Sequence, residues 1–332
     1  MTKILVTGAS GLLGANTIQE LLNNGYQIKA LVRDKNKYVL GEHQNVELIE
    51  GSLADPIIRE KAVKDCKYLL HTAAETSQSK IHYSEYHKTN VEFTGALYNI
   101  AVKSGVKRII HVSTSNVFGF GDLQNLGDEN TPIKSPFTDS LYVQSKIASQ
   151  NLALTFSDEI DVIIVNPTFL IGPFDQKPSS GRIILHGYGK GVIFYPPGGK
   201  NFVDARDVAK AIVAALINGK NKESYVLAGD NLSYKQFFER LIANSSKRTL
   251  LIEIPRVLLL LVGFFGNLLK KLGVENEFTL TNMKILCGKN YYSNLKSKNE
   301  LNIEFQPIDN AIVDTINWFK CRGTQDSKGE RS

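Results

Sequence analysis

Short apolar runs alternate with longer amphipathic stretches through about the first 170 residues of the chain. The apolar runs predict strands at Lys3–Thr7, Gln27–Val32, Val46–Glu50, Tyr68–Thr72, Arg108–Ser113 and Asp161–Asn166. The stretches between them predict helices at Leu12–Asn24, Pro56–Lys64, Tyr86–Lys103 and Ser140–Phe156. Strands that alternate with helices are typical of a parallel sheet covered on both faces, so the pattern predicts a doubly wound α/β fold.

This alternation stops after Pro167. Residues 172–199 are rich in glycine and proline and predict loops. Further elements are predicted at Val208–Leu216 (helix), Tyr225–Leu227 (strand), after Ser233 (helix) and at Ala311–Phe319 (helix). Since 332 residues exceed what one core usually organises, we expect a larger lobe of residues 1–165 to which 201–220 returns, a smaller C-terminal α/β lobe of 166–200 and 221–321, and a disordered tail at 322–332.

Composition and charge exclude several classes of protein. Hydrophobic residues make up 42% of the chain and charged residues 22%, as in ordinary globular proteins. The net charge is +6, and the excess lies in residues 151–332, where 23 basic and 18 acidic side chains give +5. Because no block of basic residues is interleaved with aromatic ones, we expect no nucleic-acid partner.

Cys66, Cys287 and Cys321 are odd in number and far apart, which indicates free thiols in a reducing cytoplasm rather than a disulfide framework. We expect no metal site, because His82 and His87 would diverge on a helix. The N-terminal run is interrupted by glycines and does not predict a signal peptide.

The most apolar segment is VLLLLVGFFGNLL at 257–269, with basic residues on both sides. Thirteen helical residues cover about 20 Å, short of the ~30 Å hydrocarbon core of a bilayer. The segment therefore does not predict a transmembrane span. A buried helix, a lid over an apolar ligand, a homodimer face and a weak peripheral membrane contact through 256–272 remain open.

A glycine-rich loop, TGASGLLG, directly follows the first strand. Gly8 permits the turn, Gly11 lets the backbone approach a pyrophosphate, and Gly14 lets the next helix pack closely on the strand. The free N–H groups at the start of that helix attract an anion. This arrangement predicts a dinucleotide site of the Rossmann type.

The ribose of a bound dinucleotide is usually read about 20 residues past this loop, where the chain has Arg33. A guanidinium suits a 2′-phosphate, so we expect a preference for NADP(H). If Arg33 is a surface residue paired with Asp34, NAD(H) remains possible.

A tyrosine and a lysine form the candidate acid–base pair. Tyr142 and Lys146 are four residues apart on a predicted helix, so their side chains share a face. A nearby ammonium lowers the pKa of a phenol from about 10, which would make Tyr142 a usable acid. A hydroxyl at the end of the fifth strand could hold the substrate carbonyl.

Together these motifs resemble the extended short-chain dehydrogenases/reductases, also called the NAD-dependent epimerase/dehydratase superfamily, over roughly residues 3–320. The resemblance implies that Thr114 is the catalytic hydroxyl, with Ser113 as the alternative, and that Lys146 also contacts the nicotinamide ribose. It implies that Asn90 orders water near the lysine, although a packing role is equally open. The cofactor contacts it implies are Gly8, Ser10, Gly11, Leu12, Leu13, Gly14, Arg33, Ser52, Leu53, Thr72, Ala73, Ala74, Tyr142, Lys146, Pro167 and Thr168. Ser52 departs from the usual Asp beside the adenine.

Ser115 and Asn116 stand where the family's sugar dehydratases carry Asp-Glu, so this chain lacks the acid and base for dehydration. We assign these two residues and Phe169 to the substrate site. Arg33 favours a reductase that uses NADPH, and the aromatic residues of the second half favour a ketone or aldehyde of an apolar or aromatic molecule as its substrate. Such an enzyme would be similar to dihydroflavonol reductase-like and 3β-hydroxysteroid dehydrogenase-like enzymes. A sugar or nucleotide-sugar epimerase is the alternative, with Lys200 as a partial substitute for the diphosphate-binding arginine. A non-catalytic NADP-binding scaffold or sensor is a remote third reading.

Overall fold

The computed structural model describes residues 2–245 and 247–329. Its strands are β1 (Lys3–Thr7), β2 (Gln27–Val32), β3 (Val46–Glu50), β4 (Tyr68–His71), β5 (Arg108–Val112), β6 (Asp161–Pro167), β7 (Phe169–Ile171), β8 (Val192–Tyr195), β9 (Gly199–Asp204), β10 (Ser224–Leu227), β11 (Asp230–Ser233), β12 (Leu250–Glu253) and β13 (Lys289–Asn290). Its α-helices are α1 (Leu12–Asn23), α2 (Pro56–Val63), α3 (Tyr83–His87), α4 (Phe93–Lys103), α5 (Leu141–Thr155), α6 (Arg182–Gly187), α7 (Ala205–Asn218), α8 (Tyr234–Ala243), α9 (Arg256–Lys271), α10 (Leu280–Cys287), α11 (Leu295–Leu301) and α12 (Asp309–Gly329).

Seven parallel strands form the main sheet in the order β10-β6-β5-β4-β1-β2-β3. Successive residues of a strand point to opposite faces. Accordingly Ile4 and Val6 belong to one hydrophobic core and Leu5 to the other. The chain order reverses between β1 and β4, and such switch points open a crevice at the carboxyl ends of the strands. The predicted doubly wound parallel sheet is confirmed.

The smaller lobe is built around a four-stranded sheet in which β11, β13 and β7 all pair with β9. A parallel ribbon of β8 and β12 lies apart from this sheet. The core of the lobe contains Phe202, whose ring stacks on Phe237 with centroids 4.3 Å apart. These elements make a mixed α/β substructure beside the carboxyl ends of the main sheet.

Several boundaries differ from the sequence prediction. Residues 201–204, expected in the larger lobe, belong to β9 and pair with strands of the smaller sheet. The predicted loop at 172–199 contains α6 and β8, which the buried side chains of Ile184 and Ile193 fix in the core. Strand β10, which the boundary at 221 gave to the smaller lobe, pairs with β6 as the edge strand of the main sheet. Helix α12 continues to Gly329, so the tail predicted for 322–332 is helical that far, and 330–332 lie outside the described residues. Polar composition by itself does not distinguish a solvated helix from a loop.

No helix among the described residues is long and apolar enough to cross a membrane. Helix α9, which contains the apolar 257–269 run, has 16 residues, about 24 Å of helix. Its buried residues are Leu259, Gly263 and Gly266. Of the alternatives that the sequence left open, the buried core helix does not fit most of the surface of α9.

Candidate active site

The turn between β1 and α1 has the shape of a phosphate-binding loop. Gly8 has a φ of +69°, and a Cβ there would lie 2.7 Å from Thr72 Oγ1. A Cβ on Gly14 would overlap the carbonyl oxygen of Gly8, whereas the exposed Gly11 meets only that same oxygen at 3.3 Å. Helix α1 has no side-chain cap and no acidic residue in its first turn. Its N-terminus therefore offers free N–H groups to an anion.

The other predicted loop contacts border this turn. Ser10 is half-buried, and Leu12 and Leu13 are buried in the first turn of α1. At the end of β4, Thr72 Oγ1 donates to the Thr7 carbonyl at 2.7 Å, and the Ala73 amide donates to Thr7 Oγ1 at 3.3 Å. These bonds fix the ends of β1 and β4 side by side. Ala73 and Ala74 are both half-buried there.

Arg33 directly follows β2 and is exposed. The alternative in which it pairs with Asp34 is not what the structure shows, because Asp34 pairs with Lys37 at 2.8 Å. Lys35 and Lys37 are also exposed, so a cluster of cations follows this strand. Only Arg33 was predicted to bind the phosphate, although the sequence R-D-K-N-K already places the two lysines near it.

The adenine side continues at the end of β3. Strands β2 and β3 are paired neighbours, with Val32 opposite Glu50. Ser52 follows and is exposed, and its hydroxyl accepts the Ala54 amide at 3.2 Å. Leu53 is half-buried beside it. The predicted adenine contacts thus adjoin the strand that ends at Arg33.

Helix α5 positions the tyrosine and the lysine. Ser140 caps its N-terminus by accepting the Val143 amide at 3.4 Å. Tyr142, in the first turn, is half-buried, and Lys146, one turn later, is only 3% exposed. Lys146 Nζ donates to the Val112 carbonyl at 2.8 Å, at the end of β5. Because Thr114 follows two residues after this carbonyl, the structure brings the predicted catalytic residues together.

The pKa values of this group differ from the sequence expectation. Burial raises the pKa of Tyr142 to about 12, although a hydrogen bond with the Thr114 side chain opposes that shift. Burial lowers the pKa of Lys146 to about 8. The expectation that the ammonium dominates and lowers the pKa of the phenol is therefore wrong here, because desolvation of the phenolate is the larger effect.

Two buried histidines lie behind the lysine, and the sequence analysis gave them no role. His71 and His111 occupy matching positions on β4 and β5, and their ring centroids are 5.9 Å apart. His71 bonds Thr94 Oγ1 through Nε2 at 2.9 Å, and His111 Nδ1 bonds the Tyr98 hydroxyl at 2.7 Å. Burial, and secondly the charge of Lys146, lower the pKa of His71 to about 3 and that of His111 well below its usual range. Both rings are therefore neutral at physiological pH.

Asn90 lies in a π-helical turn at Lys88–Glu92, a feature that often marks functional positions. It is 1% exposed. Its amide nitrogen donates to Ser145 Oγ at 2.9 Å and to the Glu75 carbonyl at 3.1 Å, and its oxygen accepts the Glu75 amide at 2.7 Å. Both N–H groups are thus used by the protein. These contacts fit the packing alternative, in which Asn90 joins the segment after β4 to helix α5.

Polar atoms without partners mark the end of β5 and β6. Ser113 Oγ and Asn166 Oδ1 are buried and have no hydrogen-bond partner among the described residues. Pro167 is buried next to Asn166. The Thr168 hydroxyl, predicted to face the cofactor, instead donates to Asn201 Oδ1 at 2.6 Å in β9. The unpartnered oxygens and the glycine loop together fit a polar dinucleotide along this edge.

A cavity of about 180 Å³ opens at Tyr142. It is lined by Gln78, Lys80, Tyr86, Asp139, Ser140, Leu141, Tyr142, Asn267, Lys270, Thr279, Thr281 and Asn282. All of these residues except Leu141 have a polar atom in the side chain, and several come from α9 and α10, which were not predicted to lie at the site. No local signal could have predicted this, because these helices lie more than 100 residues away along the chain.

The three predicted substrate residues do not line this cavity. Ser115 is 2% exposed and Asn116 is half-buried, with its amide donating to Thr114 Oγ1. The ring of Phe169 packs edge-on against Phe202 at 5.6 Å, in the core of the smaller lobe. Lys200 Nζ lies 4.5 Å from the centroid of the Phe169 ring. The structure therefore assigns Phe169 a packing role.

Comparisons with known proteins agree with this geometry. The profile of the NAD dependent epimerase/dehydratase family matches residues 4–228. A protein of Synechocystis sp., whose assignment as a dihydroflavonol 4-reductase is provisional, is 29% identical over 96% of this chain and 94% of its own length. The sterol demethylase protein B of Methylococcus capsulatus is also 29% identical, over 96% of this chain and 98% of its own.

The crystal structure of the protein gox2253 superposes with a TM-score of 0.80 at 29% identity, covering 97% of this chain and 99% of that one. The fold, the glycine loop, the Tyr-Lys pair and the family match lead to one conclusion. The chain belongs to the NAD-dependent epimerase/dehydratase family, the extended short-chain dehydrogenases/reductases, and is an NAD(P)-dependent oxidoreductase.

Proposed function

We propose that the protein is an NADPH-dependent reductase of a ketone or aldehyde group on an apolar or aromatic small molecule. The observation that carries the proposal is the group of Tyr142, Lys146 and Thr114 at the carboxyl ends of the strands, with the Tyr142 ring in the wall of a cavity. Relatives named for reduction of a flavonoid and for sterol demethylation support an apolar substrate.

The chain offers a site for each part of the cofactor. The loop at Gly8, Gly11 and Gly14 would hold the pyrophosphate, and Arg33 would hold the 2′-phosphate. Lys146 would contact the nicotinamide ribose. When bound, the nicotinamide supplies the hydride that reduces the carbonyl carbon.

The chain's own residues then supply the proton and stabilise charge. A phenol whose pKa is about 12 keeps its proton at neutral pH, so Tyr142 is ready to donate it to the carbonyl oxygen as the alcohol forms. The ammonium of Lys146 stabilises the resulting phenolate, and the Thr114 hydroxyl can donate a hydrogen bond to the developing oxyanion. Asn90 positions helix α5 through Ser145.

Tyr142→Phe tests the acid. We expect carbonyl reduction to fall by about 10²–10⁴-fold while NADPH binding is retained, because only the proton donor is removed. The matched control is Tyr26→Phe, which directly precedes β2 at the amino end of that strand. Turnover of the Tyr142 variant near that of wild type would refute the assigned acid.

Arg33→Ala tests the preference for NADPH. We expect the dissociation constant of NADPH to rise about 10-fold while that of NADH stays within about 2-fold, since only NADPH carries the 2′-phosphate. Lys103→Ala, an exposed cation at the end of α4, is the control. Equal losses for both cofactors would mean that Arg33 does not read the phosphate.

A sugar or nucleotide-sugar epimerase is the second candidate, and two observations favour it. Eleven of the twelve residues that line the cavity beside Tyr142 have a side chain with a polar atom, which could bind sugar hydroxyls. Burial also lowers the pKa of Lys200 to about 8, and a desolvated cation of this kind attracts an anionic group such as a diphosphate. A screen of NADPH oxidation over apolar ketones, aldehydes and nucleotide sugars separates the candidates, because an epimerase interconverts its sugars without net consumption of NADPH. Any substrate-dependent oxidation ends the non-catalytic scaffold reading.

A further inference from the structure

Helix α9 turns its apolar side away from the protein. Its large apolar side chains that point outward are 45–68% exposed: Val257, Leu258, Leu261, Val262, Phe264, Phe265, Leu268 and Leu269. A surface helix of a globular protein normally does the reverse, with its apolar stripe on the core. Exposed apolar patches of this extent mark interaction surfaces.

The inner side of α9 explains this orientation. A Cβ on Gly263 would lie 2.7 Å from Leu280 Cα, and one on Gly266 would overlap the Phe278 carbonyl. The helix is therefore held closely against the start of α10 by its glycines. Asn267 and Lys270 on the same side line the Tyr142 cavity. Packing thus uses the two glycines, the polar residues and Leu259, and leaves most of the large apolar side chains exposed.

The exposed apolar surface continues into the ribbon that precedes α9. Val192 pairs with Leu250 and Phe194 with Ile252, and all four side chains are 37–60% exposed. The opposite face of the ribbon carries the buried Ile193. Only residues 254 and 255 separate β12 from α9, so ribbon and helix form one apolar surface, hereafter the α9 surface.

Charge identifies the occupant of this surface. The segment 247–271 contains five basic residues and one acidic residue, Glu253; the basic residues are Lys247, Arg248, Arg256, Lys270 and Lys271. Helix α9 itself has cations at both ends and no carboxylate. This segment therefore supplies most of the +5 excess of the second half of the chain.

We propose that the α9 surface docks on a lipid bilayer that carries anionic headgroups, with the helix lying in the plane of the membrane. The apolar side chains enter the interface, and the flanking cations other than Lys270, which faces the Tyr142 cavity, meet the headgroups. A second copy of the chain fits less well. Whether two α9 helices pair parallel or antiparallel, cations face cations at both ends, because Arg256 and Lys271 carry the same charge.

Docking also has a consequence for the active site. Since the inner side of α9 lines the Tyr142 cavity and a helix with its side chains is about 10–12 Å across, the cavity of the docked protein lies about one helix diameter from the bilayer. A substrate dissolved in the membrane would then be close to the site. The docking itself does not depend on the proposed reductase activity, and the test below uses no activity readout.

Flotation of the purified full chain with vesicles tests the proposal. We expect binding to phosphatidylcholine vesicles that contain phosphatidylglycerol, weaker binding without the anionic lipid, and a loss with added salt. Phe264→Glu combined with Phe265→Glu should lower the partition coefficient about 100-fold. The matched control is Ile57→Glu with Leu123→Glu, two side chains 74% and 65% exposed elsewhere on the surface, which should bind as wild type does.

Arg256→Gln combined with Lys271→Gln should remove the dependence on phosphatidylglycerol. A single Phe264→Trp substitution reports insertion directly, because its fluorescence should shift to the blue on vesicles and the chain has only one other tryptophan. Circular dichroism of each variant confirms folding. Equal flotation of the wild type and the double Phe variant would overturn the proposal. So would the absence of flotation if light scattering shows dimers that the Phe substitutions abolish, because that result would assign the surface to another copy of the chain.

Discussion

His71 makes the folded protein sensitive to acid, because its buried ring is held in the neutral form. The imidazole lies between the hydroxyls of Thr7 and Thr94, each 2.9 Å from a ring nitrogen. Thr7 Oγ1 also accepts the Ala73 amide, which leaves its own hydrogen for Nδ1 of His71. Protonation of this nitrogen would break that bond and place a second cation near Lys146. The folded protein therefore resists protonation, and the pKa of His71 falls to about 3.

The sign follows from proton linkage. An unfolded chain protonates this histidine at about its ordinary pKa of 6.5, whereas the folded protein does so only near 3. Between these values the unfolded state binds more protons, so the free energy of unfolding falls as the pH falls. A pH of about 5 lies about 1.5 pH units below the pKa of the unfolded chain, so His71 alone lowers the free energy of unfolding there by about 2 kcal/mol.

Urea unfolding at about pH 7 and about pH 5 measures this loss. His71→Gln should reduce the difference between the two unfolding free energies by about 2 kcal/mol, whatever its stability at neutral pH. His43→Gln, which removes an exposed histidine, should keep the wild-type difference. If the His71 variant also keeps that difference, the buried ring is not the acid-sensitive group and the reasoning is refuted.

Two further substitutions test the site. Gly14→Ala should abolish cofactor binding measured by calorimetry, because the added Cβ would overlap the Gly8 carbonyl. The control is Gly191→Ala, whose Cβ meets no atom within 4 Å, so this variant should bind the cofactor normally. Equal binding by both variants would contradict the close packing of Gly14 on Gly8. Lys146→Met should abolish turnover and yet raise the free energy of unfolding at neutral pH by about 2 kcal/mol. Burial of the ammonium costs about 3 kcal/mol, and its hydrogen bond to the Val112 carbonyl offsets about 1 kcal/mol of that cost. A destabilised Met variant in urea unfolding would show that burial of the charge is not costly.

Most local elements of the larger lobe could be predicted from the amino-acid pattern alone. Strands β1, β2 and β5 begin and end within a residue of the prediction, because strands buried on both faces appear as largely apolar runs. The glycine loop was equally visible, since only glycine tolerates the φ of Gly8 and the close approach at Gly14. The spacing of Tyr142 and Lys146 sufficed to put both on one face of α5, because a helix repeats every 3.6 residues.

Which distant segments meet could not be predicted, because it depends on how the chain packs. Strand β10 joins the main sheet, His71 lies beside His111, and the Thr168 hydroxyl is taken by Asn201. The pKa of Tyr142 rises rather than falls, because burial is a property of the packed molecule and not of residue spacing. The cavity wall comes from α9 and α10, and the apolar side of α9 points outward, which its sequence alone left open. Periodicity encodes local conformation, whereas neighbours across the fold depend on how the finished elements pack.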